Sequence, residues 1–357
     1  MPRETVAEHA SHANGRGTVR YETVHPEAVA HAPLPRNVSE REELPGDAGW
    51  WGYAFRDVPA RTGGETFVAT LPDVTVTWYR DPDRGDDFYP ALVTREGHAL
   101  DLREIRFRHP HARTLRAAPP PARMERATWV LERVYDNHSH WLTAHLPKLL
   151  LLRERGELDD VLLPPVRSPA MEASLRQLGM DPARFRTFDP SRPLRVGRLT
   201  LVGTDRFRPE LLCALQRAHG LDAVPAGRRR VYVSRDRANR RRLVNEDEVW
   251  PLFADAGFER VFMEELDFDA QVALMRDTQV LAAPHGAGLT NMLFCPRGTA
   301  VIEIADLSFP NPNFYALAAA LGHPYWLVAG TGVGEGRPID RDLRVDPAAV
   351  ADVLAAW

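Results

Sequence analysis

The chain has 357 residues, a formal net charge of −4, 44% hydrophobic residues and 26% charged residues. This composition is typical of a folded protein with one large or two ordinary domains, and it excludes a disordered chain. The slightly acidic balance provides no field that would attract nucleic acid. No apolar run approaches the roughly 18 residues of a membrane span, and the charged N-terminus lacks the apolar core of a signal peptide. We therefore expect a cytoplasmic protein without a transmembrane segment, which could also bind peripherally at a membrane.

Two residue counts narrow the chemistry that the chain can support. Lys148 is the only lysine among 45 basic residues, so no Gly-Lys-Ser/Thr phosphate-binding loop is present. Any phosphate must then be recognised by arginine forks and backbone amides. The two cysteines, Cys213 and Cys295, are too far apart in sequence to indicate a disulfide framework or a zinc site.

The first half of the chain is predicted to contain an arm and a domain. Residues 1–45 show neither a strand nor a helix period, which indicates a partly irregular N-terminal arm. Residues 46–200 form the first predicted α/β domain. Its predicted elements are strands at 67–69, 74–78, 91–93 and 99–102, a helix at 123–134, a helix at 142–153 in which Pro147 causes a kink or displaces the start, a strand at 161–163, a helix at 171–178 and a strand at 194–202.

The second half has a more regular pattern. Short apolar strands are predicted at 230–234, 260–263, 280–283, 301–304 and 325–328, with helices between them at 245–256, 268–276, 287–294 and 313–321. This alternation predicts a doubly wound parallel sheet over residues 201–335, followed by a tail with a helix at 347–356 in residues 336–357. Ligands of such sheets bind at the carboxyl ends of the strands.

Residues 283–291 provide the strongest local signal. The sequence Ala-Pro-His-Gly-Ala-Gly-Leu-Thr-Asn directly follows a predicted strand and opens a helix. Gly286 and Gly288 allow the backbone to approach a ligand closely, and the free amides of a helix start favour an anion. The alternative is a tight structural turn in which His285 is a core residue.

Arginines are concentrated between residues 228 and 242, where they make up eight of fifteen residues. Most of them follow the first strand of the predicted parallel sheet, where a phosphate would lie. One or two could bind a diphosphate, whereas a solvated loop or a weak RNA-binding patch would also explain them. Asn245 and Glu248 resemble an N-cap with a capping box, a purely structural role.

Two further segments have residue types suited to catalysis or metal binding. Asp136, His138 and His140 lie at a predicted helix start, where the dipole keeps histidine neutral and able to accept a proton. The alternative is a structural role, in which Asp or Ser caps the helix and the His and Trp rings pack between elements. Asp81-Pro82-Asp83 resembles the Asp-x-Asp of metal-dependent transferases, but a polar hairpin explains it better.

Five sequence blocks resemble glycosyltransferase family 61 in residue type and order. They are Asn137-x-x-His140-Trp141-Leu142 with Leu146-Pro147-Lys148; Ser234-Arg235 with Arg241, Asn245 and Glu246; Phe268-x-x-Gln271; Pro284 to Asn291; and Val301-Ile302-Glu303. The resemblance spans residues 130–330. It implies a GT-B architecture, with two Rossmann-like domains facing a cleft, and inverting sugar transfer that requires neither a metal nor a cofactor. The chain has His138 and Ser139 where the family usually has two aromatic residues.

The resemblance also implies roles for individual residues. We expect His140 to be the general base, with Asp136 and His138 as substitutes, in the acceptor-side domain 46–200. The expected nucleotide-sugar residues are Ser234, Arg235, Arg241, Asn245, Glu246, His285, Gly286, Ala287, Gly288, Leu289, Thr290, Asn291 and Glu303. Among them, Arg235, Arg241 and the amides of 286–289 would bind the diphosphate, His285 a phosphate oxygen and Glu303 the ribose.

The expected partners are a nucleotide-sugar donor, with UDP-sugar favoured, and a glycan, glycolipid or small-molecule acceptor. Nucleic acid is not among them. Two alternatives stay open: a nucleotide-sugar hydrolase that uses the same anion site, and a nucleotide- or glycan-binding protein that has kept the fold without the base.

Overall fold

A computed structural model describes residues 1–13 and 19–355. The chain divides into two compact units, each built around one large β-sheet. The first unit comprises residues 1–28 and 63–211, and the second comprises residues 29–62 and 212–357. Both mix helices and strands, so the predicted α/β class is confirmed. Within the described part of the chain, no helix is long and apolar enough to cross a bilayer.

The strands of the described residues are numbered in chain order. They are β1 (Arg3–Thr5), β2 (Arg20–His25), β3 (Ala28–His31), β4 (Ala60–Gly63), β5 (Thr66–Asp81), β6 (Asp87–Val93), β7 (Ala99–Asp101), β8 (Ala122–Trp129), β9 (Val161–Leu163), β10 (Arg186–Thr187), β11 (Leu194–Gly203), β12 (Arg229–Val233), β13 (Phe258–Val261), β14 (Thr278–Pro284), β15 (Ala300–Asp306), β16 (Tyr325–Val333) and β17 (Asp342–Val345).

The α-helices are numbered in the same way. They are α1 (Val6–Ala13), α2 (His109–Ala117), α3 (His138–His140), α4 (Leu146–Glu154), α5 (Pro169–Gln177), α6 (Pro209–Ala218), α7 (Glu246–Asp255), α8 (Phe268–Arg276), α9 (Asn313–Leu321) and α10 (Pro347–Leu354). A π-helix, Trp141–His145, joins α3 to α4, and a 3-10 helix, Ala287–Phe294, follows β14.

The first unit contains a mixed sheet with the strand order β1-β7-β6-β5-β11-β8-β9-β10, and β2 also pairs with β5. The 16-residue strand β5 covers two predicted strands without a break, because β11 pairs along most of its length. Strands β11, β8, β9 and β10 are parallel neighbours, whereas β5 pairs antiparallel with β2, β6 and β11. Only the parallel side of this sheet resembles the expected Rossmann-like arrangement.

The helix predicted at 123–134 is wrong. Residues 122–129 form β8, which lies parallel to β11 over Leu194–Leu201. The charged residues of this stretch have side chains that favour helices, but pairing with β11 outweighs that weak preference. Helix α2, which the sequence did not predict, ends just before the proline run at 119–121.

The predicted helix at 142–153 is confirmed by the π-helix and α4, and the strands and helix predicted at 161–163, 171–178 and 194–202 correspond to β9, α5 and β11. Pro147 occupies the first turn of α4, where a missing N–H costs little. The preceding π-helix absorbs the change in backbone geometry.

The second unit contains a six-stranded sheet with the order β13-β12-β14-β15-β16-β17. The first five strands are parallel, as predicted, and β17 is antiparallel to β16. The helix predicted at 287–294 is a 3-10 helix, and α10 ends at Leu354, whereas residue 356 of the predicted helix lies outside the described residues. The chain leaves β12 towards β13 and returns to β14 on its other side, so the loops after β12 and β14 meet at the topological switch point.

Residues 29–62 belong to the second unit rather than to the first. Asn37 donates its side-chain amide to Leu327 O (2.8 Å) and accepts from Leu327 N–H (3.0 Å). Strand β17 pairs with β16 only at residues 330–333, so the two bonds from Asn37 satisfy backbone groups that β17 leaves unpaired. The unit boundary at residues 211 and 212 falls inside α6. The predicted arm 1–45 contains β1, α1, β2 and β3, so it is more regular than the sequence predicted, and its residues 14–18 lie outside the described residues.

Candidate functional site

The carboxyl edge of the second unit's sheet brings together the two strongest sequence signals. Strand β12 ends at Val233 and leads into the arginine-rich loop, and β14 ends at Pro284 and leads into the glycine turn. These strands are neighbours in the sheet. The cations of one loop and the first amides of the 3-10 helix therefore lie at the same place, as the sequence predicted.

Arg235 is anchored by its own loop. Its Nε donates to Arg241 O (2.9 Å) and its Nη2 donates to Arg240 O (2.8 Å). Burial, and secondarily the charge of Arg241, lowers the pKa of Arg235 to about 10, so the guanidinium is still charged at neutral pH. A cation that is held by neutral carbonyls keeps its charge available for an anion.

The glycines of the turn are required by packing rather than by backbone conformation. Gly286 has φ 173°, an extended value that any residue adopts. A Cβ at this position would lie 2.1 Å from Arg235 Nη1, so Gly286 makes room for the guanidinium. At Gly288 a Cβ would lie 3.0 Å from Val233 Cγ1. The turn therefore fits closely around Arg235 and β12.

Arg241 has φ +56°, in the left-handed region that non-glycine residues rarely adopt. Its side chain lines a cavity together with His285. Burial, and secondarily the charge of Arg240, lowers the pKa of Arg241. Within residues 1–13 and 19–355, no carboxylate forms an ion pair with Arg241. Strained backbone of this kind is found preferentially at functional sites.

His285 is held by polar groups on both ring nitrogens. Its Nδ1 lies 2.5 Å from Glu303 Oε1, and Asn311 Nδ2 lies 3.1 Å from its Nε2. Asn311 Oδ1 accepts from Asn313 N–H (3.1 Å), which assigns Nδ2 as the donor to His285. The imidazole is therefore neutral with its proton on Nδ1. Burial lowers the pKa of His285, although the charge of Glu303 opposes this effect.

The expectation that Glu303 binds ribose is not supported by this geometry. Glu303 is fully buried, and its two oxygens are engaged by His285 and by the Tyr325 hydroxyl. The carboxylate thus orients His285 instead of pointing to a ligand. Sequence reasoning recognised both residues but not their pairing.

Several other predicted binding residues have structural partners. Ser234 donates to Glu246 Oε1 (2.5 Å), and Arg260 pairs with the same oxygen (2.5 Å). Asn291 donates to Gln271 Oε1 (2.9 Å), and Leu289 and Thr290 are fully buried. These residues support the turn from inside the unit, whereas Ala287 and Gly288 are partly exposed.

The capping box proposed for Asn245 and Glu248 is wrong. The Asn245 side chain makes no cap hydrogen bond. Its amide donates to Val345 O (2.8 Å) and to Glu248 Oε2 (3.2 Å), and its oxygen accepts from Val345 N–H (3.2 Å). Asn245 therefore ties the start of α7 to β17, a contact across a hundred residues that local spacing cannot reveal.

In the first unit, His140 is enclosed at the start of the helical segment. Arg206 Nη1 lies 3.4 Å from His140 Nε2, so that nitrogen is the acceptor and Nδ1 has the proton. His140 Nδ1 is buried without a hydrogen-bond partner among the described residues. Burial, with the Arg206 charge second, holds the pKa of His140 well below its usual value. Arg206 also donates to Ser139 Oγ (2.8 Å), and the sequence analysis did not identify it.

Asp136 is the most open of the three candidate bases. Its side chain is 49% exposed, and Arg80 Nη1 lies 3.6 Å from its Oδ2. Asp136 lies two residues after Val134, whose φ of +56° is strained for a β-branched residue. His138 is partly exposed at the first position of α3.

Asp81 and Asp83 lie in a polar hairpin between β5 and β6, as predicted. Asp81 accepts from the Asp83 N–H (3.2 Å) and caps the short turn. Among the residues that the structure describes, no cluster of three or more His, Cys, Asp or Glu residues is suited to a metal ion.

Sequence reasoning missed most residues that line the cavity of Arg241 and His285, among them Asn311 and Trp51. Asn311 lies in the Pro-Asn-Pro-Asn stretch after β15, and Trp51 comes from the segment 29–62. The adjacent tryptophans at positions 50 and 51 were the one available signal for this segment.

Comparison with known protein families identifies the central segment. Residues 138–302 match the family model described as Glycosyltransferase 61. We refer to residues 138–302 as the Glycosyltransferase 61 segment because they match this family model. The resemblance predicted from the five sequence blocks is therefore confirmed over this range. The matched segment includes every predicted site residue except Asp136 and Glu303.

Curated relatives are similar to parts of the chain. An EGF domain-specific O-linked N-acetylglucosamine transferase of Drosophila melanogaster is 41% identical over 83 residues, which is 22% of this chain and 16% of the relative. A β-1,2-xylosyltransferase of Oryza sativa subsp. japonica is 34% identical over 125 residues, which is 34% of this chain and 22% of the relative. An Arabidopsis thaliana β-1,2-xylosyltransferase is 28% identical over 97 residues, which is 24% of this chain and 18% of the relative. The similarity thus spans less than a quarter of these relatives.

Proposed function

We propose that this protein is a glycosyltransferase that moves a sugar from a nucleotide-diphosphate sugar to an acceptor hydroxyl in glycan biosynthesis. The observation that supports this most strongly is the placement of Arg235 against Gly286, within the Glycosyltransferase 61 segment and at the switch point of a parallel sheet. All the similar curated proteins cited above are named as sugar transferases. The GT-B architecture, with Rossmann-like domains, is part of the same proposal.

The donor diphosphate binds at the carboxyl edge of the second sheet. Arg235 and Arg241 supply positive charge there, and the first amides of the 3-10 helix supply N–H donors that lack acceptors within the helix. These groups stabilise the charge that develops on the leaving diphosphate. We propose inverting transfer without a metal or cofactor, because two arginines and the turn amides can fulfil the role of a cation. UDP-sugar is the favoured donor.

A base in the first unit removes the proton of the acceptor hydroxyl. The hydroxyl oxygen forms a bond to the anomeric carbon, the bond from that carbon to the diphosphate breaks, and the proton passes to the base. The half-exposed carboxylate of Asp136 supports it as this base. His140 is the alternative, although an acceptor would have to displace Arg206 from its Nε2, and His138 comes third.

Product analysis with radiolabelled nucleotide sugars tests the activity directly. Transfer of label to an added acceptor supports the proposal. Release of free sugar alone would instead identify a nucleotide-sugar hydrolase, and binding without turnover a non-catalytic protein.

Substitutions at the candidate bases test the mechanism. We expect Asp136→Asn to lower kcat by about 10²–10⁴-fold, which corresponds to roughly 3–5 kcal/mol of barrier, while UDP affinity is unchanged. His140→Ala and His138→Ala are the matched variants. If His140 is the base, the acidic limb of the pH profile lies well below pH 6.5, because the pKa of His140 is lowered, and His140→Ala abolishes transfer. Full activity of all three variants would contradict a base in this segment.

A further inference from the structure

Three aromatic rings form a cluster at the carboxyl edge of the second sheet. Trp50 and Phe309 have ring centroids 5.6 Å apart, Trp51 and Phe309 have centroids 6.0 Å apart, and the two tryptophans have centroids 6.3 Å apart. Trp50 is 53% exposed, and Trp51 and Phe309 are partly exposed. Contiguous apolar rings at a protein surface are typical of a site that binds a ligand or a partner.

The cluster is fixed in position by backbone contacts. Trp51 Nε1 donates to Pro310 O (2.8 Å), and Phe309 follows the end of β15 in a turn closed by Phe309 N–H to Asp306 O (3.3 Å). The indole N–H is thereby satisfied, and the exposed part of the cluster presents aromatic surface suited to stacking. A preorganised aromatic surface of this kind loses little entropy when a planar ligand binds.

The rings adjoin the cations of the proposed donor site. Trp51, Phe309, Arg241 and His285 line the same cavity. Its volume of about 30 Å³ has room for two or three water molecules, and therefore for phosphoryl oxygens but not for a heterocycle. A base joined to a diphosphate in this cavity must lie outside it, against the exposed aromatic rings.

We propose that Trp51, with Trp50 and Phe309 beside it, stacks on the nucleobase of a nucleoside diphosphate whose phosphates contact Arg241. This inference rests on the proposed function. Stacking tolerates any base, so the cluster provides affinity for the nucleotide as a class. The segment 29–62 thus contributes to donor binding although it precedes the Glycosyltransferase 61 segment.

Two probes separate the nucleobase from the phosphates: UDP and inorganic pyrophosphate, titrated calorimetrically into the full chain. We expect Trp51→Ala to weaken UDP binding by roughly 10–100-fold, the range of stacking losses on alanine substitution, and to change pyrophosphate binding less than twofold. Trp51→Phe retains a ring and should recover most of the UDP affinity. Arg241→Lys should weaken both probes. Trp250→Phe is the matched control and should change neither affinity. The partly buried Trp250 packs on the core residue Tyr232 (5.9 Å between centroids) and does not line the cavity.

Three results would overturn the inference. Unchanged UDP affinity in Trp51→Ala would show that the rings serve another ligand, such as the acceptor sugar. An equal loss for UDP and pyrophosphate would show that Trp51 only supports the structure. If the wild-type chain binds neither probe, the proposed donor site is wrong and the inference is wrong with it. If the wild-type chain binds both probes and Trp51→Ala has no effect, only the inference is wrong.

Discussion

Gly286→Ala adds one methyl group at the point where the glycine turn meets the arginine loop. The backbone there is extended, so alanine brings no conformational strain. Its Cβ would lie 2.1 Å from Arg235 Nη1 and 2.7 Å from Cζ, which is too close for the guanidinium to stay. Arg235 must then give up its bonds to the carbonyls of Arg240 and Arg241. The substitution thus displaces the Arg235 guanidinium from the site, although Arg235 itself is unchanged.

The expected loss follows from the interactions of that cation. A charge-assisted hydrogen bond contributes about 1.5–3 kcal/mol, so losing the contact between Arg235 and a diphosphate should raise the Kd for UDP by roughly 10–150-fold. Gly288→Ala is the matched control. Its Cβ meets Val233 Cγ1 at 3.0 Å and Met263 Cγ at 3.8 Å, so it should lower the melting temperature and leave UDP affinity within about threefold.

Isothermal titration with UDP measures both variants, and a double-mutant cycle with Arg235→Ala completes the test. If Gly286→Ala acts through Arg235, the double variant binds UDP no more weakly than Arg235→Ala alone. Additive losses, or wild-type affinity in Gly286→Ala, would refute the reasoning, and wild-type affinity in Arg235→Ala would place the anion site elsewhere.

Three further predictions address the arginine fork, a reassigned residue and the pH dependence of stability. Arg241→Lys should weaken UDP binding by roughly 10–100-fold in calorimetry, since lysine lacks the planar fork, whereas Arg240→Lys should have no effect because Arg240 is an exposed ion-pair residue. Asn245→Ala should lower the free energy of unfolding by about 2–4 kcal/mol in urea titrations, because the backbone N–H and C=O of Val345 both lose a hydrogen-bond partner. UDP affinity should stay unchanged. Weaker UDP binding by the folded variant would show that Asn245 binds the ligand after all. Burial lowers the pKa of His323 from 6.5 to about 4, so on acidification His323 is protonated in the unfolded chain at a higher pH than in the folded chain. The free energy of unfolding should therefore fall by about 2 kcal/mol from pH 7 to pH 5. The same fall in His323→Gln would contradict this assignment.

The fold of the second unit could be predicted because its signals are local. Each strand from β12 to β16 is a short apolar run, and the segments between successive strands have a helical period. The sequence therefore predicts the order of these elements and the edge of the sheet at which the loops meet. The first unit gave weaker signals. Residues 122–129 became a strand through pairing with β11, a partner about seventy residues away that local spacing does not identify.

The sequence predicted which residues lie together at the candidate site, but not the contacts that they make. Arg235, Arg241 and the glycine turn do lie at one edge of the sheet. Sequence spacing could not reveal that Gly286 makes room for Arg235, or that Glu303 is occupied by His285 and Tyr325. Such pairings depend on tertiary packing between residues that are distant in sequence.

The placement of residues 29–62 in the second unit has a consequence for synthesis of the chain. Asn37 emerges from the ribosome 290 residues before its partner Leu327, which at ordinary elongation rates is a delay of about 15–60 s. Pro33 waits similarly for Tyr315, whose hydroxyl donates to its carbonyl from 282 residues away. The aromatic-rich segment 29–62 therefore lacks these two partners until residues 315 and 327 have been synthesised.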